Sequence, residues 1–339
     1  RVLFRSDTAR DLYGVMDTAF IRSPVKNLPR FMASLGPRGL GLLARIGPTK
    51  TMWTSLGQQF QDPRLRQLFA RYATYCGSSP LEAPATLSLI AQVEMDGVWS
   101  IDGGMQELVR CLARLCQQQG VTFRYQTTCE QILVKNGKIA GVSLASQEDL
   151  KADRVVFNGD ACALRQGLLG QATQRAVPTS KPPRSLSAVT WCRRTRTRGL
   201  RLDRHNLFFQ SDYADEFTDI FQQQRLPRRP TVYLCAQDRP SAVEDLDTER
   251  LLCLINAPAN GDESGLSEQA LSECETQVLS SMRQCGLHIE ITRDNHVRNT
   301  PSHFHRRFPG TGGALYGQAT HGWMSIFSRP GSISPIPGL

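Results

Sequence analysis

The sequence is defined first by what it lacks. No run approaches the ~18 to 20 consecutive apolar residues that a membrane-spanning helix needs, and no charged start followed by an apolar stretch reads as a signal peptide. Its ten cysteines are scattered and include no Cys-x-x-Cys pair, which advertises neither a disulfide framework nor a zinc site and makes a reducing, cytoplasmic setting the expectation. Gly-x-Ser-x-Gly, Walker A and His-Glu-x-x-His motifs are absent, as is a dinucleotide fingerprint, so serine hydrolases, P-loop enzymes and zincins have no positive support. Aromatic residues make up only 7% of the chain. Trp53, Trp99, Trp191 and Trp323 are too dispersed to form a cage, and core packing is their default role.

What is present is a chain of 339 residues, 40% hydrophobic and 21% charged, with 40 Lys and Arg against 31 Asp and Glu. That is enough apolar material for one large core or two smaller ones, and it excludes a disordered or fibrous protein. The basic excess suits an anionic membrane surface, a nucleic acid or an ordinary basic protein. The cluster Arg193, Arg194, Arg196, Arg198, Arg201 and Arg204 is the best argument for nucleic acid, but no aromatic residues interleave with it for base stacking. A solvated loop between strands is the simpler reading. The chain starts at Arg1, and Arg1 to Ser6 (RVLFRS) reads as a translated adapter scar that is set aside from fold reasoning.

From Asp7 to Gln92 the pattern is helical and cut short by Pro24, Pro29, Pro37, Pro48, Pro63, Pro80 and Pro84. Asp62 before Pro63 predicts an N-cap, with Leu65, Leu68, Phe69 and Tyr72 on one face. Ser34 to Ile46 mixes small and apolar residues with Arg38 and Arg45; it reads as a surface loop and short helix, or as an interfacial segment. A Gly103-Gly104 turn precedes an amphipathic helix carrying Met105, Leu108, Val109, Leu112, Leu115 and Cys116, ended by Gly120. Strands are expected at Val121 to Tyr125, Cys129 to Val134, Lys138 to Leu144 and Ala152 to Asn158. Asn136-Gly137 suits a type I′ hairpin turn. Pro178 to Pro183 reads as a linker. Beyond it, Ser187 to Cys192, Asn206 to Gln210, Thr231 to Ala236 and Leu251 to Ala257 suggest a second, mixed sheet. A helix opens at Ser267 and presents Leu271, Cys274, Val278, Met282 and Cys285 on one side before Gly286. His303 and His305 would share a face of a strand, but Arg306 and Arg307 follow and no further ligand accompanies them, so no metal is expected.

The run Asp62 to Val121 (DPRLRQLFARYATYCGSSPLEAPATLSLIAQVEMDGVWSIDGGMQELVRCLARLCQQQGV) resembles the bacterial carotenoid desaturases, flavoproteins of the amine-oxidase-like, phytoene desaturase type. Ala152 to Ala163 (ADRVVFNGDACA), Phe308 to Gly317 (FPGTGGALYG) and Ser328 to Leu339 (SRPGSISPIPGL) resemble the same family in the expected order. The Tyr72 to Ala85 wording, Ser185 to Trp191 (SLSAVTW) and His321-Gly322-Trp323 are most similar to the hydroxyneurosporene (methoxyneurosporene) type.

The resemblance implies an α/β (α+β) flavoprotein with an incomplete Rossmann-like FAD-binding fold, a mixed-sheet substrate domain and a helical region. The implied division is 7–97 helical and membrane-docking, 98–163 returning to the FAD domain, 164–309 binding substrate and 310–339 starting a second return. Family members open with a strand, a Gly-rich turn and a helix that seat the FAD pyrophosphate, and continue past the position of Leu339 with a segment lying against the flavin. Neither is found here, so a middle fragment that holds FAD weakly by itself is expected. The implied cofactor is FAD, with Gly103, Gly104, Cys129, Asn158, Gly159 and Asp160 as implied contacts. The implied substrate is a lipophilic acyclic carotenoid, reached by peripheral membrane contact, with no nucleic acid. Asp96, Asp102 and Asp160 are candidate proton acceptors by location. Carotenoid isomerase, ketolase and phytoene desaturase activities, or a non-catalytic arginine-rich binder, stand as alternatives.

Overall fold

The computed structural model describes residues 2–22, 28–47, 49–179, 182–239, 248–263, 265–291 and 296–339. Pro24, Pro48 and the middle of the expected Pro178 to Pro183 linker lie outside them. Helix α1 (Val2–Met16) includes the residues set aside as a scar, and α2 (Leu28–Ile46) is broken where Gly36 takes φ +62° before Pro37. Leu12 and Met16 of α1 pack on Phe31, Leu35, Leu42 and Leu43 of α2. Thr51 caps α3 (Met52–Gln59), and the Asp62 carboxylate caps α4 (Pro63–Ala70) by accepting from Arg64 N–H at 2.9 Å. Sequence spacing misjudges the α4 face: Leu68 is exposed while Gln67 and Ala70 are buried. The Gln67 amide is spent on the Gln210 carbonyl at 2.8 Å, which makes a polar residue tolerable there.

Helices α5 (Ile90–Asp96) and α6 (Met105–Gln118) follow, then a three-stranded meander of β1 (Cys129–Lys135), β2 (Lys138–Leu144) and β3 (Asp149–Lys151). Lys135 pairs with Lys138 across Asn136 (φ +49°) and Gly137 (φ +79°), the left-handed pair that a two-residue hairpin demands. Two expected strands do not form. Residues 121–125 and 152–158 pair with no neighbouring strand; 152–158 makes only isolated bonds, such as Val155 N–H to the Gly338 carbonyl at 2.7 Å. β-propensity supplies an extended chain, and a strand needs a partner as well.

After the short α7 (Ala161–Arg165) comes the largest unit. Strands β4 (Ser187–Thr195), β6 (His205–Phe208), β7 (Val232–Ala236), β8 (Glu249–Ala257) and β10 (His296–Asn299) form one sheet in the order β10-β4-β8-β7-β6. Every described pairing is antiparallel, which corrects the expected mixed sheet. Strands β5 (Thr197–Gly199) and β9 (Leu287–Ile289) pair separately, and α8 (Tyr213–Phe217) lies between β6 and β7 in sequence. Helix α9 (Glu268–Gln284) covers one face of the large sheet. Ser267 Oγ caps it by accepting from Ala270 N–H at 3.1 Å, and Leu271, Cys274, Val278 and Met282 pack on Val189, Trp191, Leu234 and Ile255. Cys285 falls outside this face, at the exposed C-cap.

His303 and His305 sit on α10 (Pro301–Arg307), a helix rather than a strand. His303 Nδ1 bonds the Thr300 hydroxyl at 2.8 Å, and His305 Nδ1 accepts from Gly312 N–H at 3.2 Å. The arginine cluster is partly tied down: Arg193 pairs with Glu275, Arg198 with Glu290 at 3.1 Å, and Arg204 donates to Ser100 Oγ at 3.1 Å. Among the described residues no helix is long and apolar enough to cross a membrane, and no group of three or more His, Cys, Asp or Glu could hold a metal.

Candidate active site

Segments far apart in sequence meet at one junction. Leu186 N–H donates to the Gly77 carbonyl at 2.9 Å, and Ser185 N–H to the Gly317 carbonyl at 2.9 Å. Thr320 N–H bonds Ser78 Oγ at 2.7 Å, and Gly322 N–H the Glu82 carbonyl at 2.9 Å. Gly77 has φ +65°, and a Cβ there would fall 2.6 Å from both the Ser185 and Tyr316 side chains, so the chains approach this closely only with glycine.

His321 is the side-chain pin of this junction. Its Nε2 accepts from Ser79 N–H at 3.1 Å, so the proton sits on Nδ1, which faces Glu82 Oε2 at 3.1 Å. Burial lowers its pKa, and the Glu82 carboxylate opposes that fall.

Beside the junction lies a cleft of about 650 Å³, within the range of small-molecule sites. One wall is the chain entering α7, with Phe157, Gly159 and Asp160; the other is the C-terminal segment, with Leu315, Gly317 and Arg329. Asp160 Oδ1 caps α7 by accepting from Cys162 N–H at 2.7 Å. Its Oδ2 lies beside Gly317, where a Cβ would come within 3.2 Å of it. Arg329 spans the second wall, donating to the Gln318 carbonyl at 2.9 Å and Thr320 Oγ1 at 3.0 Å. Arg165, which also borders the cleft, donates to the Pro178 carbonyl at 3.0 Å.

Of the residues singled out from sequence, Gly159 and Asp160 line the cleft. Asn158 precedes them but is exposed and outside the lining, and Cys129 lies on β1, its Sγ 3.6 Å from the Gln131 carbonyl. Gly103 and Gly104 form the turn before α6, away from the cleft. Asp96 accepts from the Gln92 amide at 2.6 Å, and Asp102 is exposed. Sequence reasoning missed Arg165 and Arg329. Arg329 lies inside the quoted Ser328 to Leu339 wording, but nothing in that wording marks its side chain as a brace.

The lining suits a planar, partly polar group with an anionic tail. Phe157, Val177, Pro182 and Leu315 are apolar, the glycine backbones leave room for close approach, and Arg165 and Arg329 carry positive charge.

The model of flavin containing amine oxidoreductases matches residues 27–339. The chain belongs to that family. Its helices and antiparallel sheets agree with the family's α/β flavin-binding fold. The chain is 53% identical over 98% of its length to a hydroxyneurosporene desaturase of Rubrivivax gelatinosus, covering 63% of that protein. A hydroxyneurosporene desaturase of Cereibacter sphaeroides is 37% identical over 98% of this chain and 66% of its own length. A 1-hydroxycarotenoid 3,4-desaturase of a Flavobacterium species is 32% identical over 80% of this chain and 56% of its own length. The chain thus spans between about half and two thirds of the curated relatives it matches.

Proposed function

We propose that this chain is part of an FAD-dependent desaturase that introduces a double bond into an acyclic carotenoid with a hydroxylated end, in carotenoid biosynthesis. The observation that carries the reading is the cleft, whose two walls draw on the segments that resemble the desaturases, 152–163 on one side and 308–317 with 328–339 on the other. The 53% identity to a hydroxyneurosporene desaturase supports the substrate class.

When bound, FAD supplies a two-electron acceptor for the hydride of an allylic C–H bond. In this proposal the chain's own residues provide the surroundings. Phe157, Val177, Pro182 and Leu315 would bound the flavin with apolar surface and keep water from it. Arg165 and Arg329 would hold the anionic part of the cofactor, and Gly159 and Gly317 let it approach the backbone. Desaturation removes a second hydrogen as a proton. Of the three aspartates considered, only Asp160 borders the cleft, and Oδ2 is its oxygen beside Gly317, which makes it the proposed acceptor.

Membrane docking is the second part of the proposal, because the substrate is lipophilic. Arg10, Arg38 and Arg45 border a hollow of about 630 Å³ between α1 and α2; Met32 and Leu40 are exposed on α2, and Ile21 is exposed on the helical turn Asp17–Ile21 that follows α1. Basic residues around exposed apolar side chains suit an anionic lipid surface. Cosedimentation with anionic but not zwitterionic vesicles is the expected outcome, and equal partitioning would refute docking.

Product analysis tests the reaction. The product of the full-length gene, fed a hydroxylated acyclic carotenoid, should yield a red-shifted product lighter by two hydrogens. An unchanged mass would indicate isomerisation, and added oxygen a ketolase; either result would overturn the desaturase reading.

A further inference from the structure

The large sheet and the cleft are joined through one ion pair. Residues 183–186 lead into β4 and residues 258–262 trail from β8. Ser187 pairs with Ala257 across those strands, so both segments leave the same end of the sheet. Arg184 reaches from the first segment to the second. Its Nη1 donates to Asp262 Oδ1 at 2.7 Å and to the Ala259 carbonyl at 3.0 Å, and its Nη2 donates to Asp262 Oδ2 at 2.5 Å. A fork of this kind fixes direction as well as distance, which a point charge does not.

The residues on either side of Arg184 hold the second wall of the cleft. Leu315 N–H donates to the Leu186 carbonyl at 3.0 Å, Tyr316 N–H to Ser185 Oγ at 3.0 Å, and Ala319 N–H to the Pro183 carbonyl at 2.9 Å. The wall also touches the ion pair itself. At Gly312, where φ is +62°, a Cβ would fall 2.1 Å from Arg184 Nη1 and 2.5 Å from the Ala259 carbonyl oxygen. The Gly312 carbonyl accepts from Gly261 N–H at 2.8 Å. Two residues earlier the opposite wall meets the same segment, because Gln166 at the end of α7 donates to the Gly310 carbonyl at 3.0 Å.

The Arg184 and Asp262 side chains are 33% and 28% exposed, and an ion pair so open to water adds little to global stability. What it supplies is position. Thr311, Leu315, Tyr316 and Gly317 line the cleft, and Gly317 stands against Asp160 Oδ2 on the other wall.

We propose that Arg184 is a positioning residue: gripping Asp262 and packed on Gly312, it ties the cleft wall 311–318 to the end of the five-stranded sheet and sets the gap that admits the flavin. The identity of that ligand rests on the flavin reading of the cleft; the clamp itself rests on the contacts above.

The test uses the full-length protein and the variants Arg184→Met, Arg184→Lys, Asp262→Asn and the double Arg184→Met/Asp262→Asn. Amide hydrogen exchange, read by mass spectrometry, reports local opening. Exchange of 312–319 should quicken by about tenfold or more in Arg184→Met and in Asp262→Asn, the scale of one charge-assisted hydrogen bond. Exchange of β8 should stay in place. The FAD dissociation constant should rise by a similar factor. The double variant should be no worse than either single one, since both remove the same contact. Arg184→Lys keeps the charge without the fork and should recover only part.

Exchange that quickens equally in β8 and in 312–319 would mark the pair as merely structural, and unchanged exchange would remove the clamp; either overturns the proposal. So would quickened exchange with wild-type FAD affinity, since the wall would then move without moving the site. A wild type that binds no FAD yet shows the local exchange pattern, lost control of the wall in the variants included, refutes the flavin reading and leaves the clamp standing.

Discussion

Helices α6 and α9 carry the same kind of sequence and meet different fates. Both repeat apolar residues at three-and-four spacing and end at a glycine. On α9, Leu271, Cys274, Val278 and Met282 are all buried against the five-stranded sheet. On α6 no residue is buried: Leu108, Val109, Leu112 and Leu115 are all exposed, Leu112 by 53%. Val98, Trp99 and Val156 are likewise exposed. Periodicity therefore reports that a helix has an apolar face, while burial depends on a second surface of matching chemistry. The sheet supplies one for α9; nothing among the described residues does so for α6.

The contrast should appear first in stability. Leu234→Ala or Ile255→Ala, beneath α9, should cost about 2–5 kcal/mol in denaturant unfolding. Leu112→Ala on α6 should stay within about 0.5 kcal/mol. Equal costs would mean that the α6 face is covered in solution.

The same unit contains a buried ion pair. Arg239 meets Glu249 at 2.7 and 2.9 Å, and Glu249 also accepts from Thr197 Oγ1 at 2.6 Å. Arg239→Met strands the carboxylate and should cost roughly 3–5 kcal/mol. The double variant Arg239→Met/Glu249→Met should recover much of that loss.

A smaller effect belongs to the junction. The folded-state pKa of His321 lies below the ordinary imidazole value of about 6.5, so folding favours the neutral ring. Its contribution is present above that value and is lost as pH falls through the lower, folded value, because protonation ends the Nε2 acceptance from Ser79. The melting temperature should therefore decline below about pH 6.5, and His321→Gln should flatten that decline. Smaller still, Gly137→Ala should cost about 1 kcal/mol through its positive φ, and Gly137→Asn should cost less.

Local signals were legible. The Asp62 and Ser267 caps, the Asn136-Gly137 turn and the buried stripe of α9 each depend on a few adjacent residues. The meeting of His321 with Ser79 and Glu82 was not, because nothing in local spacing reports a contact 242 residues apart. The strand expectations split on the same ground: Leu251 to Ala257 found neighbours on both sides, while Val121 to Tyr125 found none. Within the site, Gly159 and Asp160 were legible through the family resemblance, and Arg329 was not, since its role lies in bracing carbonyls rather than in a motif.

The cleft between Asp160 and the C-terminal segment is the proposed flavin site. The most direct test is the visible absorption spectrum of the purified full-length protein beside its Gly317→Val variant, whose new side chain would crowd Asp160 at a position of φ +69°. Oxidised-flavin bands near one flavin per chain are expected in the wild type and their loss in the variant, with unchanged far-ultraviolet circular dichroism. A folded variant that retains its full flavin, or a folded wild type that carries none, would contradict this assignment.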